Sequence, residues 1–175
     1  MLDIETTGFS AAKDSIVEIG IVELDLYTGA TSIIYDQLVK EHNLREQNSQ
    51  AWVFQNSDLD FAQVWNAKPL EFDIIQDILN HYPITAFNKK FDFTFFRERG
   101  FLINELDCPM LLATNVCKIP GKRGYKWPTV EEAWHFFFPG ISYIEKHRGA
   151  DDALHEAKIV HRLYELGVFK LHDEF

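Results

Sequence analysis

Residues 1–10 run MLDIETTGFS. Asp3 and Glu5 flank one apolar residue. In a strand, residues i and i+2 point to the same face, so the two carboxylates stand side by side. Thr6, Thr7 and Gly8 then force a turn, which puts the pair at the C-terminal end of a strand. In open α/β sheets that is where sites collect. Two adjacent carboxylates repel each other unless a cation sits between them. A lone Asp-x-Glu is equally a solvated strand end, so its meaning depends on the rest of the chain.

Working outward, "IVEIGIVELDL" (16–26) is strand-like, "YTGA" offers a hairpin turn, and "TSIIYDQLV" (31–39) is the returning strand. The chain thus starts as an antiparallel meander. Residues 41–68 are the least regular, polar but studded with Trp52, Phe54, Phe61 and Trp65. Pro69 suits the first turn of a helix carrying Leu70, Ile74, Ile75, Ile78 and Leu79. A short strand, "PITAF", precedes the helical "NKKFDFTFFRERG", with Gly100 as its stop. Another strand is expected over 103–106, then a short helix from Pro109. "CKIPGKRGYKWP" is a loop by its Pro and Gly content. Val130 to Phe138 and Asp151 to Leu166 are helical, the last with Ala153, Ala157, Val160 and Tyr164 in one stripe and Gly167 as its stop. This order of elements predicts an α/β domain with one mixed sheet and helices on its faces.

At 175 residues, 46% apolar and 25% charged, the chain fits one domain, 1–175, with a sizeable core; 15 Phe favour a well-filled interior. The net charge of −10 speaks against a protein that coats nucleic acid through a basic surface. It leaves room for an enzyme that grips a short strand end and sets divalent cations against the phosphates. Cys108 and Cys117 match no zinc spacing and are too few for a disulfide framework. No apolar run approaches membrane-spanning length, and a soluble cytoplasmic protein is expected, with no membrane partner.

Two further segments bear on the opening pair. Asp92 lies early in the helix after "TAFN", where an acid often only offsets the helix dipole, and Asn88 is placed to cap that helix. In "HRGADD", His147 precedes a helix start at which Asp151 or Asp152 could also be a cap. Taken together, "LDIETTG", "AFNKKFDFTFF" and "HRGADDALHEAKIV" resemble, in order, the three motifs of the DnaQ-like exonucleases of the DEDDh type, which cut nucleotides from 3′ ends. The resemblance spans nearly the whole chain.

That resemblance implies a ribonuclease H-like mixed five-stranded sheet, three strands antiparallel and two parallel, with helices on both faces. It implies Asp3, Glu5, Asp92 and Asp152 as carboxylate ligands of two divalent cations, Mg²⁺ or Mn²⁺, and His147 as general base. Asp3 would bridge the two ions. Hard cations select carboxylate oxygens, and an imidazole titrating near neutrality suits proton removal from water. The expected substrate is the 3′ end of single-stranded or frayed DNA, as in proofreading or repair; RNA trimming is the alternative, an inactive binding module a second, and a small-molecule phosphoesterase a third. Thr6, Thr7 and Gly8 would approach the terminal nucleotide. Lys122, Arg123 and Lys126, with Lys118, form a basic loop suited to phosphates, though a solvated loop has the same composition. Phe91, Phe87, Trp52 and Trp65 are candidates for base stacking or for core; Asn88 completes the substrate set.

Two departures stand out. Pro109 in "LDCPMLLAT" replaces an expected Thr, and only Met1 and Leu2 precede Asp3, where relatives carry a longer apolar strand. A start upstream of Met1 is therefore expected. The lack of a tail after Gly167 favours a stand-alone or phage-type nuclease; a polymerase or a second copy remains a candidate partner. The apolar end, Val168, Phe169, Leu171 and Phe175, is suited to dock on its own domain or a partner.

Overall fold

In the computed structural model, residues 1–171 are described. Phe175 lies outside them. Three strands form one antiparallel sheet in the order β1-β2-β3: β1 (Leu2–Thr6), β2 (Ile16–Leu24) and β3 (Thr31–Leu38). Its register sets Asp3 opposite Gly20 and Glu5 opposite Glu18, with a bulge after Glu5. The meander expected from the sequence is thus present.

Alternation along β1 sorts its side chains. Leu2 and Ile4 join Ile19, Ile21 and Phe93, Phe95 and Phe96 in one core cluster. That cluster is completed by α3 (Phe72–His81) and α4 (Lys89–Glu98). Asp3 and Glu5 therefore face the other way, toward α7 (Gly149–Glu165). This helix packs with α5 (Pro109–Cys117) and α6 (Val130–Phe137) over a second cluster around Trp134, Ala157 and Val160. Two short helices, α1 (Trp52–Asn56) and α2 (Phe61–Trp65), close a third cluster on Val17.

The two parallel strands expected at 83–87 and 103–106 do not form as strands. Among the described residues they amount to a single parallel bridge, Ile84 to Glu105. Leu2 N–H donates to Thr85 O (2.8 Å), so the segment lies along the free edge of β1. Pro83 has no N–H to extend a ladder, and β1 is too short to template one. Other boundaries shift. Helix α3 starts at Phe72, so Pro69 precedes it, and α7 starts at Gly149. The 117–128 loop contains a two-residue hairpin, β4 (Pro120–Gly121) with β5 (Gly124–Tyr125).

The start of α7 lies almost on the sheet. A Cβ added at Gly20 would fall 2.1 Å from Ala150 N and from Gly149 C, and one at Gly149 would fall 3.2 Å from Asp3 O. Only hydrogen fits on both sides of this contact. Gly20→Ala is expected to cost about 3 kcal/mol and to lower Tm by roughly 6–12 °C, read by thermal unfolding; an unchanged Tm contradicts the contact.

Beyond Met1, β2 continues past the end of β1. A cavity of ≈ 380 Å³ opens there, lined by Met1, Val22, Leu24, Pro83, Thr85 and Phe169 among others. Its walls are the two backbones a longer β1 would join. Adding three or four apolar residues before Met1 is expected to raise Tm by several degrees, about 1 kcal/mol for each hydrogen bond gained. No rise would contradict it.

Candidate active site

Four elements meet at the C-terminal end of β1. Asp3 and Glu5 come from the strand itself. Asp92 comes from the first turn of α4, beside the free edge of β1, and its carboxyl takes hydrogen bonds from its own amide and that of Ile4. Asp152 comes from the first turn of α7 and is 3% exposed. His147 sits two residues before α7 with φ 54, in the left-handed region that side chains rarely adopt. Glu5, His147 and Asp152 each bring a ligating atom within 4.8 Å of the others. Asp3 and Asp92 act on Glu5 by charge, and Asp3 on Asp152 as well, so the five residues expected from the sequence lie in one region.

Asp152 is held firmly. Its Oδ2 accepts from Arg148 N (2.9 Å), and its Oδ1 from Tyr143 Oη (3.3 Å) and Lys146 N (3.4 Å). Asp151 turns outward to Lys146 Nζ (3.0 Å) and His155. The two adjacent aspartates, ambiguous in sequence, thus differ in their partners, although Asp151, Asp152 and His155 each bring a ligating atom within 4.8 Å of the others. Glu18 is buried under the start of α7: it takes both Nε and Nη2 of Arg148 and the Gly149 N–H (2.9 Å). Arg99, the C-cap residue of α4, ties the 8–15 loop through Ala11 O and Asp14 O and pairs with Glu41.

Electrostatics mark the cluster. Burial, then Glu156, Asp92, Glu5 and Asp152, hold the Asp3 carboxyl well above the usual carboxylate range. Burial, then Asp152 and further acids, pushes Glu5 up to about 9. Burial pushes Asp92 up to about 8 against the pull of its two amides. Such shifts arise when like charges share a dehydrated space with no cation. Hard divalent ions would relieve them, and the donor set, carboxylate oxygens with one imidazole, suits Mg²⁺ or Mn²⁺. The residues fit the metals that the sequence implies.

The remaining candidates divide. Thr6 and Thr7 shape the turn: Thr6 Oγ1 donates to Gly8 O (2.7 Å), and Thr7 Oγ1 accepts from Ser15 N (2.9 Å). Asn88 occupies the cap position of α4, but its side chain makes no capping bond. Phe91 touches Phe9, which is 93% exposed just past the turn. Trp52, 60% exposed, meets the His147 ring in a T-shaped contact with centroids 4.7 Å apart. Phe87 is core, and Trp65 is partly buried against Phe61. Lys122 and Arg123 form the tip of the β4–β5 hairpin, whereas Lys126 pairs with Glu132. Sequence reasoning missed Glu18, Tyr143 and Glu156. A detectable signal existed for Glu156, an acid set within the apolar stripe of α7, one turn after Asp152.

The fold and site define an α/β domain whose sheet end carries a buried acidic cluster beside an imidazole. Residues 1–160 match the RNase_T exonuclease family, and the chain belongs to it, as a DnaQ-like exonuclease domain. No curated protein matches in sequence. Among solved structures the chain is similar to a full-length 3′-exonuclease (18% identity, TM-score 0.66, 98% of this chain and 63% of that one). It is also similar to exonuclease X, solved in complex with 5′-overhanging duplex DNA (20% identity, TM-score 0.58, 97% and 92%). These two likenesses concern the fold; the chain spans 63% of the length of the first.

The carboxyl shifts predict a pH dependence. In the unfolded chain these carboxyls lose their protons near pH 4; folded and metal-free, Asp92 and Glu5 keep them to about 8 and 9. The native state binds more protons across that window, so stability falls as pH rises through it. With chelator, Tm should drop between pH 5 and 9, and saturating Mn²⁺ should flatten the drop. A metal-free Tm that rises over this range contradicts the cluster.

Proposed function

We propose that residues 1–175 form one exonuclease domain that hydrolyses phosphodiester bonds at 3′ ends of single-stranded or frayed DNA. The observation that carries this reading is the convergence of Asp3, Glu5, Asp92, Asp152 and His147 at one end of β1, with ligating atoms of Glu5, His147 and Asp152 within 4.8 Å of one another. The five-stranded ribonuclease H-like sheet belongs to the same reading; the Ile84–Glu105 bridge and the Leu2–Thr85 bond support the course of its two parallel segments.

Asp3, Glu5, Asp92 and Asp152 would hold two divalent cations, which supply charge stabilisation for the attacking and leaving oxygens. The chain's own residues do the rest. Asp152, fixed by Arg148 N and Tyr143, presents its carboxylate without searching rotamers. Glu145 Oε1 stands 4.0 Å from His147 Nδ1, which leaves Nε2 to take the proton of the attacking water. Thr6, Thr7 and Gly8 bring backbone to the terminal nucleotide, with Asn88 and Phe91 beside it. Lys122, Arg123 and Lys126 contact phosphates further along the strand.

The DNA preference draws support from exonuclease X, whose complex contains duplex DNA. His147→Ala should lower kcat on labelled single-stranded DNA by about 10²–10⁴-fold with little change in KM, and Asp3→Asn should abolish turnover. Full activity in either variant sinks the assignment. Faster turnover of the matching RNA by the wild-type protein would transfer the reading to RNA trimming.

A further inference from the structure

Glu156 is a buried acid that the four-carboxylate set does not use. It is 4% exposed and lies one helical turn after Asp152, on the face of α7 turned toward β1. Its neighbours in the stripe, Ala153, Ala157 and Val160, are buried and apolar. Among the described residues its buried Oε2 has no hydrogen-bond partner. An apolar side chain would fit this stripe without cost, whereas an unpaired buried carboxylate is expensive.

Its surroundings are acids. Asp3, Asp92 and Asp152 all lie near enough to act on its carboxyl by charge. The Met1 amine also lies near it, but is committed to Val22 O at 2.6 Å. Neither a hydrogen bond nor that amine accounts for the orphaned oxygen.

We propose that Glu156 is a fifth carboxylate of the metal site, turning its unpartnered Oε2 to a divalent cation shared with Asp3. This rests on the metal-site reading above and enlarges it. A five-acid set holds its cations more tightly than four, at the expense of a less stable metal-free protein. The rival is a carboxyl that simply stays protonated as a filler of the helix face, for which the isosteric amide would be equivalent.

Mn²⁺ binding in the absence of nucleic acid separates the two. Wild type, Glu156→Gln, Glu156→Asp and Asp3→Asn are titrated by calorimetry and by the free-Mn²⁺ EPR signal, with Tm measured in chelator. Glu156→Gln should weaken Mn²⁺ binding at least tenfold, with the chelator Tm showing that the variant folds. Glu156→Asp keeps a carboxyl but withdraws the oxygen, and should also weaken Mn²⁺ binding. Should the amide variant fail to fold, the Asp variant decides alone. Mn²⁺ affinity within twofold of wild type in the folded variants overturns the assignment. If it does so while Asp3→Asn loses Mn²⁺, only Glu156 is dismissed; if Asp3→Asn also binds normally, the metal-site reading itself falls.

Discussion

The contact between the start of α7 and strand β2 at Gly20 governs the site. Backbone meets backbone there, because neither Gly20 nor Gly149 has a side chain to hold the helix away. Glu18 secures the approach from beneath by accepting from Arg148 and the Gly149 N–H. That pairing buries a charge but supplies it with a guanidinium and an amide, the condition under which burial is tolerable. Asp152 and His147 reach Asp3 and Glu5 because the helix begins so close to the sheet. A helix held off the sheet by side chains at this point would leave the third motif short of the first.

Once this contact is made, the acids have little freedom. The strand fixes Asp3 and Glu5 on one face, α4 brings Asp92 to the open edge of β1, and α7 closes the space from above. The carboxyls lose water and face one another, so their proton affinities rise. On the proposed metal-site reading, cations entering this space would relieve that repulsion. Stability and function are thus opposed within one cluster, a frequent condition at catalytic sites.

Much of this was legible in the sequence. Period-two alternation in "LDIET" correctly set both carboxylates on one face, and "IVEIGIVEL" announced the strand beside it. The helical stripe from Ala153 to Val160 gave α7 to within two residues. Other features were hidden because they depend on tertiary approach. Gly20 looked like an ordinary interruption in a strand, and Glu18 like one more strand acid; their roles exist only where α7 lands. Tyr143 lies in an irregular stretch with no periodicity to mark its inward turn. The segments 83–87 and 103–106 have strand composition but pair through one bridge, since Pro83 and the brevity of β1 limit the ladder. Glu156 was visible as a polar residue on an apolar face, the kind of local inconsistency that often signals a site.

The central claim is that this cluster removes nucleotides from 3′ ends. The most direct measurement digests a 5′-labelled single-stranded DNA with the wild-type protein, in Mg²⁺ and in chelator, and resolves products at single-nucleotide length. A ladder that shortens stepwise from the 3′ end, and vanishes in chelator, is predicted. Uncut strand in Mg²⁺, release of the 5′ label as mononucleotide, or an undiminished ladder in chelator would contradict it.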